Sequence, residues 1–149
     1  MNDLEAVTEL LASQNILTLA TVDSGGIPSA TPLFYILHNG LALYWVSAAS
    51  SLHSRSLINS PQVSAAVALP TDRWKQIRGV QMRGAVRLVE DSRERKEVLA
   101  AYAERFSLGR VFRVALTQIE LYCLTPTWIR LLDNSRHFGY KREFTLPPA

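Results

Sequence analysis

The chain has 149 residues, of which 48% are hydrophobic and 19% charged, and its formal net charge is +3. This length suits a single domain spanning residues 1–149, and the composition excludes a largely disordered chain. The charge excess is too small for a typical nucleic-acid binder, and no segment approaches the ~20 apolar residues of a membrane-spanning helix.

The N-terminal residues lack the basic start and apolar run of a secretory signal. The single cysteine, Cys123, has no partner for an intrachain disulfide and is expected to be buried. Because a lone buried cysteine suits a reducing compartment, we expect a cytoplasmic protein.

The first third of the chain predicts one helix followed by antiparallel strands. Apolar residues at helical spacing over 3–14 predict a helix capped by Asp3. The turn residues at 23–26 and the pair Asn39-Gly40 predict two hairpins. The strands that they join are predicted at 16–22, 29–37 and 42–47.

A short helix over 50–59 comes next, capped by Ser50 or Ser51 and stopped by Pro61. The strand that follows, at 62–69, leads through a loop at 70–75 to a strand at 79–89. In that last strand apolar and polar residues alternate, so Val80, Met82, Val86 and Leu88 face one side. Gly84 in its middle predicts a bulge or a bend.

The last part of the chain predicts a second long helix and short strands. Asp91 would cap the helix with Glu94 as its capping-box partner, and the helix would run to Phe106. A short extra turn is expected over 107–114. Strand pieces are predicted at 119–124 and 128–133, separated by Thr125-Pro126-Thr127.

Hairpin-linked strands with few helices favour a mainly β fold, a small antiparallel Greek-key barrel with peripheral helices. The sequence contains no Walker A, GxSxG or HExxH motif. Its three histidines (His38, His53 and His137) are scattered and do not predict a metal site. We therefore expect a bound cofactor to supply any chemistry.

The segment from Ser47 to Arg55 leaves a strand and enters a helix. A helix N-terminus offers free N–H groups and partial positive charge, serine hydroxyls add donors, and an arginine can bind two phosphate oxygens. The segment is therefore a candidate phosphate site. The alternative is an ordinary serine-capped helix with a solvated Arg55.

Gln81 and Arg83 share one face of the strand at 79–89. A glutamine amide can match the donors and acceptors on the edge of a flavin ring, and an arginine near such an edge would stabilise a reduced, anionic ring. The alternative is a solvated strand face. Three aromatic residues, Trp74, Trp128 and Phe138, could pack on a planar ring, although such residues more often fill a core or an interface.

In order and spacing these segments resemble the pyridoxamine-phosphate-oxidase-like, FMN-binding split-barrel superfamily. The similarity covers nearly the whole chain. It rests on the order of the segments 17–21, 26–33, 43–47, 53–57, 59–64 and 80–84, which include Gly26-Ile27-Pro28, Asn59-Ser60-Pro61 and Arg83-Gly84. Within the superfamily, the segments 77–84, 133–134 and 138–141 resemble a small bacterial branch.

The resemblance implies a six-stranded antiparallel split barrel that forms a homodimer with two FMN sites between the subunits. Thr31, Pro32 and Leu33 would line the flavin, and Ser47, His53, Ser54 and Arg55 would hold its phosphate. Gln81 would contact the flavin ring, either of its own subunit or of the partner subunit. Because the basic residue usual after this arginine is missing and no basic C-terminal match is found, oxidation of pyridoxamine phosphate is not expected.

The resemblance leaves three functions open. The first is a flavin-dependent oxidoreductase acting on an unidentified small molecule. The second is a haem or deazaflavin protein of the same fold, catalytic or not, in which His53 or His137 would be the haem ligand. The third is a binding protein without catalysis: a flavin store, a sensor, or a small barrel that binds nucleic acid. The candidate nucleic-acid contacts are Trp74, Lys75, Arg78, Arg83 and Arg87.

Overall fold

The structure is a computed structural model that describes residues 1–110, 114–115 and 119–148. The elements described in full are three α-helices and eight strands, and the strands form one curled antiparallel sheet. In chain order these are α1 (Asp3–Ser13), β1 (Ile16–Val22), β2 (Pro28–Phe34), β3 (Ile36–His38), β4 (Ala42–Ser47), α2 (Leu52–Asn59), β5 (Gln62–Ala68), β6 (Arg78–Leu88), α3 (Ser92–Arg105), β7 (Glu120–Asp133) and β8 (Lys141–Thr145). A short 3₁₀ turn, Trp74–Gln76, precedes β6.

The strands lie in the order β2-β1-β5-β6-β7-β4-β3, and β8 also pairs with β7. The long strand β7 closes this arrangement, since it pairs with β6 along its length, with β4 over its first half and with β8 over its second half. The result is a curled half-barrel with three helices. The predicted mainly β split-barrel class is confirmed, with eight strands instead of six.

Both predicted hairpins form as their turn residues require. In the β1–β2 turn the Asp23 carboxylate accepts hydrogen bonds from the N–H groups of Gly25 and Ile27. In the β3–β4 turn Asn39 and Gly40 have φ angles of 52° and 83°. Two successive positive φ angles are the signature of a tight hairpin turn whose twist matches that of its strands.

The predicted strand at 29–37 is wrong in one respect, because the chain divides it into β2 and β3 at Tyr35. Tyr35 is fully buried, its N–H donates to the Asn15 carbonyl, and its hydroxyl donates to the Leu11 carbonyl. The chain is thus fixed to the end of α1 as it passes from its pairing with β1 to its pairing with β4.

The predicted break at Thr125-Pro126-Thr127 is also wrong, because β7 runs through it. The pairing with β6 shifts between Arg83 and Gly84, so that Thr127 has no partner in that ladder. This is the bulge expected at Gly84, and it lets a proline sit within a long strand. Strand β8 was not predicted from the sequence.

Two of the three predicted helix caps are confirmed, and the first is wrong. Asn2, not Asp3, caps α1 and forms a reciprocal capping box with Glu5. Ser51 caps α2 and Asp91 caps α3 as predicted. The Glu94 side chain, however, does not return to the cap. The 70–75 loop ends in the 3₁₀ turn, and the turn expected at 107–114 falls partly outside the described residues.

Two apolar cores determine which sheet face stays open. The inner core joins α1 and α2 to the concave side of the sheet and includes Met82. The second core joins α3 to the outer side of β3, β4 and the first half of β7, with Tyr44, Val98 and the buried Cys123 in contact. None of α1, α2 and α3 lies over the outer side of β1, β5, β6 and the second half of β7. In the part of the chain that the structure describes, no helix is long and apolar enough to cross a bilayer.

Candidate functional site

The candidate phosphate site at the start of α2 is a cluster of three serines and a histidine, which we call the α2 cluster: Ser47, Ser51, His53 and Ser54. Ser47 Oγ lies 2.6 Å from His53 Nε2, and Ser51 Oγ lies 3.3 Å from the same nitrogen. Ser51 Oγ is also 2.7 Å from Ser54 Oγ. Ser47, at the end of β4, is thus brought to the helix that follows it.

The α2 cluster is largely buried. Ser54 and His53 are 2% and 9% exposed, and burial lowers the pKa of His53 below its ordinary value because the cationic form loses hydration. The imidazole is therefore neutral at pH 7 in the free protein. A neutral imidazole carries one N–H, and its other nitrogen can accept from a serine hydroxyl.

The first turn of α2 leaves donors available for a ligand. Within the described chain, the backbone N–H groups of Leu52 and His53 have no hydrogen-bond partner. Arg55 is exposed on the outer side of the same helix, and its side chain has no hydrogen bond or ion pair to another described residue. Backbone N–H groups, hydroxyls and a guanidinium form the donor set that suits a phosphate.

A shallow cavity of about 190 Å³ opens on the uncovered outer side of the sheet, and we call it the outer-face cavity. Antiparallel partners that lie directly opposite share a face, so the register across the strands predicts its walls. One row across the sheet is Pro32, Thr18, Ala66, Gln81, Arg130 and Glu143. The next row is Ala30, Ala20, Ser64, Arg83, Trp128 and Thr145.

Small residues from β1 and β5 form the floor of the outer-face cavity, and long polar residues from β6 and β7 form its wall. Gln81 and Arg83 both line it, which confirms that they share a strand face. Arg130 Nη1 lies 3.4 Å from Gln81 Oε1. The Arg83 and Arg130 guanidinium groups lie 4.2 and 5.0 Å from the centre of the Trp128 ring.

The predicted flavin-lining residues divide between the two faces of the sheet. Pro32 is exposed and pairs with Thr18 on the outer side. Thr31 and Leu33 pair with Leu19 and Leu17, which are fully buried, so they lie toward the inner side.

Within one chain the structure therefore brings Ser47, His53 and Ser54 together but not Gln81 with them. Gln81 and the α2 cluster belong to different surfaces. Sequence reasoning missed the residues on β1 and β5 that floor the outer-face cavity. The available signal was the recurrence of small residues at every second position, Thr18 and Ala20 on one strand and Ser64 and Ala66 on the other.

The three aromatic residues suggested for ring packing also separate. Trp74 and Phe138 are exposed and in edge-to-face contact, with ring centres 5.4 Å apart, near the loop that follows β7. The Asn134 side chain holds this pair by donating to the Trp74 carbonyl and accepting from the Gly139 N–H. Trp128 lies apart from them in the outer-face cavity.

Comparison with known proteins shows which family the chain belongs to. The family model for pyridoxamine 5'-phosphate oxidase matches residues 4–133. The chain belongs to this family. It shares the split-barrel fold of the superfamily, as the sequence resemblance implied.

The relatives cover the chain almost end to end. The UPF0306 protein of Cronobacter sakazakii (strain ATCC BAA-894) is 29% identical over 141 residues, covering 95% of this chain and 94% of the relative. The UPF0306 protein of Yersinia pseudotuberculosis serotype O:3 (strain YPIII) is 26% identical over 144 residues, covering 97% and 94%.

Solved structures confirm the fold. A conserved hypothetical protein from Mycobacterium tuberculosis has a TM-score of 0.78 at 21% identity, covering all of this chain and 94% of its own. HutZ, the haem storage protein from Vibrio cholerae, has a TM-score of 0.72 at 22% identity, covering 97% and 95%. At these identities the likeness establishes the shared fold and not a shared ligand.

Proposed function

We propose that this chain is one FMN-binding domain that works as a homodimer in the cytoplasm, as an oxidoreductase acting on a small molecule. The observation that carries the proposal is the first turn of α2. There the chain offers a cluster of hydroxyls, an exposed Arg55 and two backbone N–H groups, and neither Arg55 nor these N–H groups have a partner among the residues that the structure describes. These residues fit the phosphate of FMN.

In this proposal each part of the chain has a separate task. The N–H groups of Leu52 and His53 and the Arg55 guanidinium bind the phosphate, whose negative charge the helix N-terminus also favours. Ser47 and Ser54 supply hydroxyls, and the Ser47–His53 hydrogen bond keeps the imidazole in place. When bound, the flavin would accept or donate a hydride, while the protein positions and shields its ring.

A homodimer explains why the ring-facing candidates do not meet within one chain. Gln81 and Pro32 lie on the uncovered outer face, and the phosphate-binding candidates lie at the start of α2. A ligand between two subunits can take its phosphate contacts from one chain and its ring contact, Gln81, from the other. The side chains of Thr31 and Leu33 lie on the inner side of β2. These two residues would therefore line the flavin with their backbone groups, which flank the outward-facing Pro32.

The decisive experiment compares FMN binding by the wild-type protein and by Arg55→Ala, using flavin absorption after desalting and fluorescence titration. Removing a charge-assisted contact of this kind costs about 1.5–3 kcal/mol, so we expect roughly 10- to 150-fold weaker binding with an unchanged circular dichroism spectrum. Arg93→Ala, in an exposed pair on α3, is the matched control and should bind like the wild type. Equal affinity in Arg55→Ala would disprove the phosphate assignment.

Haem is the second candidate, because proteins of similar fold are described as binding it. His53 is a poor axial ligand in this structure, since it is buried and its Nε2 is held by Ser47. His137 is exposed in the loop after β7. A Soret band in the purified protein that disappears in His137→Ala would disprove the flavin proposal and establish haem binding through His137. Flavin absorption bands in the purified protein would exclude haem as the resident cofactor.

A further inference from the structure

Two connections at one end of the sheet meet and expose three large apolar side chains. Residues 69–77 join β5 to β6, and residues 134–140 join β7 to β8. They meet where the Asn134 N–H donates to the Ile77 carbonyl at 2.9 Å. Trp74, Ile77 and Phe138 lie at this meeting point with 57%, 42% and 76% of their surface exposed. We call these three residues the loop tip.

The loop tip is held in shape by hydrogen bonds to its backbone. The Asn134 side chain donates to the Trp74 carbonyl and accepts from the Gly139 N–H, at 2.9 and 3.0 Å. In the part of the chain that the structure describes, none of the three tip residues packs into either apolar core. Because the backbone is already ordered, covering this surface would cost little conformational entropy.

The same end of the molecule accounts for the net charge of the chain. Residues 70–78 and 133–142 contain two acids, Asp72 and Asp133, against six cations: Arg73, Lys75, Arg78, Arg136, Lys141 and Arg142. Asp3 is a third acid beside them, since it pairs with Arg136 and Arg142. The excess of three positive charges equals the formal net charge of the whole chain. An anionic occupant therefore suits this end of the molecule.

The arginines and lysines at this end differ in their partners. Each of the four arginines is ion-paired with an aspartate. Lys75 and Lys141 are exposed and form no hydrogen bond or ion pair with another described residue. The Lys75 ammonium lies 5.3 Å from the centre of the Trp74 ring. The unpaired positive charge is thus carried by lysines beside the exposed apolar residues.

These features fit the surface of a bilayer better than a nucleic acid. Exposed aromatic and aliphatic side chains with lysines beside them are typical of segments that enter the headgroup region of anionic membranes. Ile77 offers no ring on which a base could stack, and aspartates already hold the guanidinium groups that would bind a phosphate backbone.

We propose that the loop tip docks on a membrane surface that contains anionic phospholipids. Trp74, Ile77 and Phe138 enter the headgroup region, and Lys75 and Lys141 contact the headgroup phosphates. Because few side chains take part, the contact is reversible and weakens with salt. It uses none of the residues assigned above to FMN or to the dimer face, so it does not depend on flavin binding.

Cosedimentation with vesicles tests this proposal on the purified protein. Vesicles of phosphatidylcholine alone are compared with vesicles of equal parts phosphatidylcholine and phosphatidylglycerol. We expect binding to the anionic vesicles and at least about 10-fold weaker binding to the neutral ones, since each cation near an anionic surface contributes roughly fivefold. Tryptophan emission should shift to shorter wavelength as Trp74 leaves water. No binding to anionic vesicles at low salt overturns the proposal.

Variants separate the loop tip from a general attraction to charge. Trp74→Ser/Phe138→Ser removes exposed rings, so it should keep its circular dichroism spectrum and bind anionic vesicles at least about 10-fold more weakly. Lys75→Gln should bind roughly fivefold more weakly. The controls are Ile27→Ser, at an apolar residue that is 62% exposed in the β1–β2 turn, and Lys96→Gln, on the surface of α3. Both should bind like the wild type, and unchanged binding by the double variant contradicts the assignment.

Two other occupants would give different results. If the double variant converts a dimer to a monomer in sedimentation velocity and the wild type does not bind vesicles, the loop tip is a contact between subunits and the proposal is wrong. If the wild type binds single-stranded oligothymidine but not vesicles, and the double variant loses that binding, the loop tip binds nucleic acid and the proposal is again wrong.

Discussion

At the scale of single residues, the α2 cluster shows how burial fixes the chemistry of a side chain. His53 is an ordinary histidine in sequence, but the fold surrounds it with Ser47 and the first turn of α2. Desolvation disfavours the imidazolium, so the pKa of His53 falls below its usual value. A group of this kind links the stability of the protein to pH.

We expect His53 to make the protein less stable as the pH falls. In the unfolded chain the imidazole takes up a proton near pH 6.5, whereas the folded protein resists protonation until the lowered pKa is reached. The free energy of unfolding should therefore decrease below about pH 6.5 and level off below the lowered pKa. Urea denaturation between pH 8 and pH 5 measures this profile.

The matched variants are His53→Gln and His137→Gln. His53→Gln should lose the decrease between pH 7 and the lowered pKa, while His137→Gln, altered at an exposed loop position, should keep it. The same decrease in wild type and His53→Gln would show that another group causes it.

At the scale of elements, α3 is attached to the sheet by a side-chain network that crosses between β4, β6 and the helix. Glu94 accepts from both Arg87 Nη atoms, at 2.8 and 2.6 Å, and from the Tyr44 hydroxyl at 2.9 Å. The bond from Arg87 lowers the pKa of Glu94, although partial burial opposes it. The capping-box role predicted for Glu94 is lost because these partners hold the carboxylate.

We expect Glu94→Gln to destabilise the protein at pH 7 by roughly 1–3 kcal/mol, because it leaves Arg87 without its anion. Since the folded pKa of Glu94 is lowered, this contribution is present above the unfolded pKa and disappears as the pH falls through the folded value. Glu97→Gln, in an exposed pair on the same helix, should change stability by at most about 0.5 kcal/mol. Thermal unfolding at pH 7 and pH 3 measures both.

Gly84 lets the backbone of β7 approach the backbone of β6 closely at the bulge between these two strands. A Cβ atom at this position would lie 2.2 Å from the Thr125 carbonyl oxygen and 3.0 Å from Pro126 Cα. Both are backbone atoms and cannot move aside alone. The bulge predicted from sequence therefore has a steric requirement that the sequence did not show.

We expect Gly84→Ala to destabilise the protein by roughly 1–3 kcal/mol or more, the cost typical of overpacking. Gly109→Ala is the control, because no atom of the described residues lies within 4 Å of a Cβ atom built there and its φ is not positive. Urea unfolding of the two variants would contradict the steric account if their free energies of unfolding were equal.

At the scale of the whole molecule, the three helices α1, α2 and α3 cover the inner side of the curled sheet and one part of its outer side, and they leave the rest of the outer side open. α1 and α2 close the inner core, and α3 covers the outer side near β4. The surface around Thr18, Ala66 and Gln81 stays exposed. Small side chains on an open sheet face allow a second sheet or a planar ligand to approach closely.

We expect Ala66→Arg to abolish both the proposed dimer and FMN binding while leaving the monomer folded. Ala66 is exposed at the centre of this face, between Thr18 and Gln81, so an arginine clashes only with what covers it. Ala100→Arg, the same change at an exposed position on α3, should leave both properties unchanged. Sedimentation velocity and flavin titration measure them, and a dimeric Ala66→Arg protein would place the interface elsewhere.

What the sequence determined by itself was local. Turns at Asp23 and Asn39-Gly40, caps at Ser51 and Asp91, and the alternation along β6 depend on interactions within a few residues, so the residue types suffice to predict them. The meeting of Ser47 with His53 also followed from one short segment. The split-barrel class followed from a resemblance that covers nearly the whole chain.

Tertiary structure decided what depends on strand order. The break at Tyr35 depends on the end of α1, the role of Glu94 depends on Arg87 and Tyr44, and the outer-face cavity needs β1 and β5 beside β6 and β7. Arg83, Trp128 and Ser64 become neighbours only when the sheet sets its register. The physical reason is that side-chain partners distant in sequence compete with local ones, and only the packed sheet determines which partner is within reach.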